Sequence, residues 1–127
     1  MAAKSKSVLD LLASTAERHW RSVKNAYKAG VKIAFSTDAG TLGIAPGTNA
    51  LEFMNLQKIG MSNAEALKAA TSVAAAAIGH GDTVGRLVPG YRANLAVMDG
   101  NPLADLTAVQ RVVMTFKDGK IVNDKRE

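Results

Sequence analysis

The chain has 127 residues, the length of one ordinary domain, and its 47% hydrophobic and 21% charged residues are those of a folded globular protein and not a disordered one. It contains no cysteine, which excludes a disulfide framework and thiolate metal sites. The formal charge of +5 gathers largely at the ends, in Lys4, Lys6, Lys117, Lys120, Lys125 and Arg126. The sparse aromatics do not interleave with these cations, so no nucleic-acid surface is predicted.

Residues 7–29 read as one amphipathic helix, with Val8, Leu12, Ala16, Trp20, Val23 and Tyr27 recurring at three- and four-residue steps. Ser7 is its expected cap and Gly30 the expected left-handed residue past its end. Val31–Ser36 follows as a short β-prone run, and helix, glycine, strand is the second half of a parallel β/α unit. Thr37, Asp38 and Ala39 close that run, and Gly40, Gly43, Pro46 and Gly47 mark the next stretch as a loop.

A second helix is predicted over 49–59, stopped by Gly60, and a third from Ser62 to about Ile78. Ser62 and Glu65 have the spacing of a capping box, each satisfying a backbone N–H of the other. The alanine-rich run from Ala69 to Ile78 is too short to span a membrane, and no long apolar run follows the basic N-terminus. Neither a membrane segment nor a signal peptide is therefore expected, and the cytoplasm is the expected compartment.

Beyond Gly79 the character changes. Val84–Leu87, Ala93–Met98, Val109–Phe116 and Lys120–Val122 are β-prone runs separated by Pro89-Gly90, Asp99-Gly100-Asn101-Pro102 and Asp118-Gly119. The last pair is the signature of a two-residue type I′ hairpin. The chain thus divides into an α/β part, residues 1–80, and an antiparallel β part, residues 81–127, expected to meet through the small side chains of the third helix.

Asp38 is the candidate functional residue. Polar groups just past the C-terminal end of a parallel strand face the ligand in β/α folds. A second reading, a turn or loop cap, is open on position alone. His19 lies mid-helix beside Trp20 without a second histidine at i+4, so a packing or surface role is expected; His80 sits in a loop leaving a helix, where a helix-end charge or turn role is expected.

Gly30-Val-Lys-Ile-Ala-Phe-Ser-Thr-Asp38-Ala-Gly40 resembles the eighth strand of the amidohydrolase superfamily, in its imidazolonepropionase-like and prolidase-like branch. The likeness continues in order through Asn49-Ala-Leu-Glu52, Gly60-Met-Ser-Asn-Ala-Glu65, Ala70-Thr71, Ala77-Ile-Gly79, Val84-Gly85, Gly90-Tyr-Arg-Ala-Asn-Leu-Ala-Val97, Asp99-Gly-Asn-Pro102 and Lys117-Asp-Gly119-Lys. It covers about Ala16 to Val122. The resemblance implies an α/β chain that is the C-terminal fragment of a (β/α)8 TIM barrel, with strands of a small composite β-sandwich. It implies a hydrolase of C–N bonds in cyclic amides or dipeptides, with a divalent metal, zinc by preference, at the barrel mouth. Asp38 matches the aspartate that binds the metal and accepts a proton.

The family's other ligands, a His-x-His pair, a carboxylated lysine or glutamate, and two further histidines, belong to strands that have no counterpart here. One carboxylate does not hold a catalytic zinc, which takes about three protein ligands and an open position. The resemblance therefore implies a chain inactive by itself that forms a homo-oligomer or joins the missing barrel portion. The alternative is a non-catalytic binding module with the same fold remnant. Glu52 matches a position near the site mouth, with a local helix role equally open. Asn94 stands where the family commonly has aspartate, and an effect on packing is expected there.

Overall fold

The computed structural model describes residues 2–40 and 45–126, so Gly43 of the expected loop lies outside the described residues. The chain divides into two compact units, Met1–Val31 and Lys32–Glu127. The first is a helix, α1, Ala2–Lys28. It already runs through Ser7, so Ser7 is not its cap: an uninterrupted run of helix-compatible residues precedes it. Gly30 ends it as expected. With φ 81°, Gly30 donates to the Tyr27 carbonyl (2.9 Å) and Val31 to that of Ala26 (3.0 Å), the paired bonds of a Schellman motif. Of the apolar stripe, Val23 and Tyr27 are half-buried, Ala16 and Trp20 are exposed, and the side chains of Val8 and Leu12 lie outside the described part.

Val31–Ser36 is not a strand. A parallel strand draws its hydrogen bonds from neighbouring strands. The described strands here form one antiparallel sheet elsewhere in the chain, so the segment has no ladder to join. It lies instead against helices: the Phe35 N–H donates to the Ala69 carbonyl (3.0 Å), and the Phe35 ring tilts against Phe53 at 4.7 Å between centroids.

A 3-10 turn, Asn49–Leu51, leads into α2, Glu52–Lys58. Then α3, Asn63–Lys68, starts at the expected capping box: Ser62 Oγ accepts from the Glu65 N–H and the Glu65 carboxylate from the Ser62 N–H (2.8 Å). The predicted third helix is interrupted by a π turn, Ala69–Val73, before α4, Ala74–Ala77. The Thr71 hydroxyl donates to the Leu67 carbonyl (2.7 Å), the back-bonding that loosens a helical ladder. The turn carries Ala69, whose carbonyl holds Phe35.

Val84–Leu87 bends instead of forming a strand. Gly85, at φ 88°, lies so close to the helical backbone that an added Cβ would sit 2.8 Å from the Thr71 carbonyl oxygen and 2.8 Å from Ala75 Cβ. The sheet has the order β1, Leu95–Met98; β2, Val112–Lys117; β3, Lys120–Asp124, each neighbour antiparallel. Residues expected in the strand from Val109 are divided, because Leu106–Gln110 is a 3-10 turn. Asp105 caps it by accepting from the Thr107 N–H (3.0 Å), and Arg111 braces the same loop by donating to the Asp99 carbonyl (3.0 Å).

The hairpin turn is the expected Asp118-Gly119, both left-handed at φ 50° and 79°. It is latched to the residues before β1. Asp118 N–H donates to Asn94 Oδ1 (2.8 Å), Gly119 N–H to the Ala93 carbonyl (3.0 Å), and Arg92 grips the Asp118 carboxylate with two bonds of 2.7 and 2.8 Å. Asn94, where an effect on packing is expected, is exposed and instead supplies a hydrogen-bond acceptor to the turn, without placing a second carboxylate beside Asp118.

The core joins the α2–α4 stretch to the base of the sheet through Leu56, Ile59, Met61, Ala66, Leu106, Ala108, Val109 and Met114, all buried. Leu106 is 2% exposed, a burial that contributes roughly 1.5–3 kcal/mol. Asn63 ties the two parts again by donating to the Leu103 carbonyl (3.0 Å). The alanines of the third helix meet the loop of Gly81 and Gly85, while the Leu106–Gln110 turn meets α2, the Asn49–Leu51 turn and β1.

Candidate active site

Asp38 ends the segment that runs from Val31, and its φ of 55° is left-handed, a conformation uncommon for a residue with a Cβ. Its side chain is exposed, as is Ser36, whereas Thr37 is half-buried. The backbone leading to it is held at two levels. Phe35 is fixed by the Ala69 carbonyl and the Phe53 ring. One residue before Asp38, the Thr37 hydroxyl accepts a hydrogen bond from Asn49 Nδ2 (3.1 Å), and Asn49 Oδ1 accepts from the Gly47 N–H (3.1 Å). Asn49 thereby ties both ends of the loop that follows Asp38.

Sequence reasoning does not find this tie. The available signal is an amide residue opening a helix just after a Gly/Pro loop, twelve positions from a hydroxyl residue at the loop's other end. Glu52 serves its own helix, its carboxylate accepting from Asn55 Nδ2 one turn along α2 (2.8 Å). His19 is exposed on α1. His80 is exposed too, and its backbone shapes the turn after α4, its N–H donating to the Ala75 carbonyl (2.8 Å).

Among the described residues, no three His, Cys, Asp or Glu side chains lie together as a metal site. Asp38 supplies one carboxylate, so these residues do not by themselves fit a catalytic zinc. A cavity of about 490 Å³ lies nearby in the chain, lined by Thr48, Asn49, Leu51, Val109, Val112 and Lys125 among others. Asp38 is not in its lining.

Among the described residues, the pronounced charge effects lie in the β part. Hydrogen bonds from Arg92 hold the Asp118 carboxyl below its ordinary value, and those from Thr107 do the same for Asp105. Arg126 lowers Asp124 to about 2. These pairs are solvent-exposed and brace loops and strand ends.

The sequence profile of the amidohydrolase family matches residues 2–122. This chain belongs to the amidohydrolase family. It is 35% identical over 114 residues to an ochratoxinase of Aspergillus niger, covering 87% of this chain and 23% of that protein. It is 30% identical over 131 residues to an imidazolonepropionase of Fusobacterium nucleatum subsp. nucleatum, covering 97% of this chain and 32% of that one. The crystal structure of a Xaa-Pro dipeptidase with methionine bound in its active site superposes with a TM-score of 0.81 at 34% identity, over 87% of this chain and 27% of the other. This amidohydrolase chain thus spans between about a quarter and a third of the length of these relatives, and shares its α/β fold with a small antiparallel sheet with that part of them.

Proposed function

We propose that this chain is the C-terminal part of a metal-dependent hydrolase of C–N bonds in cyclic amides or dipeptides, with Asp38 as metal ligand and proton acceptor. The observation that carries the reading is the placement of Asp38: it ends the segment matched to the eighth barrel strand, on a backbone fixed from two sides and with its side chain open to solvent. A carboxylate there offers negative charge to a divalent cation, zinc being the ion proposed, and can take up a proton; an amide can do neither. The remaining metal ligands would come from barrel strands outside these residues. Residues 1–80 are assigned to the barrel and 81–127 to a composite β-sandwich, with Ile121 and Val122, at 56% and 62% exposure, leaving an apolar side chain open on each face of β3. The substrate is a small amide or peptide, and the cytoplasm is the proposed compartment.

A second reading is a non-catalytic binding module with the same fold; the lack of a three-ligand cluster among the described residues is expected on both readings. The two are separated by a chimera in which residues 2–122 replace the matching part of the A. niger ochratoxinase. The first reading expects metal-dependent hydrolysis of the parent enzyme's substrate, and a loss of about 10²-fold or more in kcat for Asp38→Asn. A folded chimera whose Asp38→Asn variant keeps full kcat would remove Asp38 from catalysis. The 127-residue chain alone, supplied with zinc or manganese, is expected to show no turnover.

A further inference from the structure

Asp38 adopts a left-handed backbone at φ 55° without the freedom of glycine, a conformation aspartate tolerates better than most residues but that still costs of order 1 kcal/mol and persists where its surroundings impose it. The residue that bridges both sides of this strained position is Asn49. Its Nδ2 donates to Thr37 Oγ1 immediately before Asp38, and its Oδ1 accepts from Gly47 N–H at the far end of the loop, each at 3.1 Å. Asn49 itself is anchored, as it opens the 3-10 turn leading into α2, and α2 packs its Leu56 into the core. An exposed side chain at a helix entrance thus reaches back to the residue preceding Asp38.

We propose that Asn49 is a positioning residue for Asp38, fixing the Thr37–Asp38 backbone so that the carboxylate is presented in one orientation. The proposal rests on the reading of Asp38 given above for its catalytic consequence, but not for its structural one. Thr37, half-buried, supplies a hydroxyl as acceptor. Asn49 does not touch the reacting atoms; it acts through Thr37. Removing the amide takes away one restraint on the Asp38 backbone and raises the share of the more populated right-handed or extended regions.

Two readouts test this separately. In the full 127-residue chain, a left-handed Asp38 gives a strong intraresidue amide–Hα nuclear Overhauser effect. Asn49→Ala, and independently Thr37→Val, are expected to weaken it, with little added loss when the two are combined. Asn49→Asp, which keeps an acceptor for Gly47 and can accept the Thr37 hydroxyl proton, is expected to retain it. In the catalytic chimera, Asn49→Ala and Thr37→Val are expected to lower kcat about threefold to tenfold, the scale of one hydrogen bond, with KM nearly unchanged and with rescue by Asn49→Asp. An unchanged Overhauser effect in both Asn49→Ala and Thr37→Val overturns the proposal. A weakened effect with a chimera indifferent to Asp38→Asn leaves the positioning in place and defeats the catalytic reading instead.

Discussion

The β2–β3 hairpin and the segment Val31–Ser36 are built from similar residues, β-branched and aromatic side chains flanked by glycine. One is a closed ladder, with Phe116 opposite Ile121 and Lys117 opposite Lys120. The other makes no ladder and leans on a helix through Phe35 and Ala69. The difference lies in where each segment finds its partner. Two residues separate β2 from β3, so loop closure costs little and the left-handed Asp118-Gly119 pair already has the twist the strands need. A parallel strand requires neighbours reached through crossovers, and the described residues contain no parallel pair. Local propensity is thus sufficient for a hairpin and insufficient for a parallel strand.

The comparison is broken most forcefully at Gly85. Gly85→Ala adds a methyl 2.8 Å from backbone oxygen at a left-handed position and is expected to cost roughly 2–5 kcal/mol, from strain and overpacking together. Urea unfolding followed by far-UV circular dichroism would read that loss. Leu106→Ala, which empties a buried site beneath the sheet, is expected to cost a similar 2–5 kcal/mol.

These two positions also show what a sequence conceals. The Gly30 stop, the Ser62–Glu65 box and the Asp118-Gly119 turn are legible because each is a local device, complete within a few residues. The grip of Arg92 on Asp118 spans 26 positions and the bond from Asn49 to Thr37 spans 12, and no periodicity announces either. The 3-10 turn at Leu106–Gln110 is hidden because its apolar residues bury as strand residues would, while its Asp105 cap reads as ordinary loop polarity. Asp38 is legible as a candidate from its place after a β-prone run and from the family likeness. Its left-handed backbone, and the side chain that sustains it, are not.

A smaller effect sharpens the contrast between the two segments. Gly119→Ala places a Cβ at φ 79° in the hairpin turn and is expected to cost about 1 kcal/mol. Val31→Ala, at 54% exposure and outside any ladder, is expected to change stability by less than about 0.5 kcal/mol. Equal costs at the two positions would mean that Val31 is packed in a strand after all.

The smallest expected effect is electrostatic and belongs to the hairpin side. Asp118 and Asp124 are lowered in the folded chain by their arginine hydrogen bonds, Asp124 to about 2, against an ordinary value of 3.8. Their stabilising contribution is therefore fully present above the ordinary value and is lost as pH falls through the lowered folded values. Thermal unfolding between pH 5 and 7 should show no contribution from them to pH dependence. Below about pH 4 the midpoint should fall, and Asp118→Asn should make that fall shallower. A carboxyl titration of Asp118 at the ordinary value would show that Arg92 does not hold the turn in solution.

Residue-resolved amide hydrogen exchange tests the central contrast most directly. In the chain by itself, the ladder amides of β2 and β3 should be protected together. Within 31–36 protection should be confined to Val31 and Phe35, whose N–H groups donate to Ala26 and Ala69. In the chimera that supplies the rest of the barrel, protection should spread across 31–36 while β2 and β3 change little. Uniform protection of 31–36 in the isolated chain, or no gain within the chimera, would contradict the account of this segment as a barrel strand without its partners.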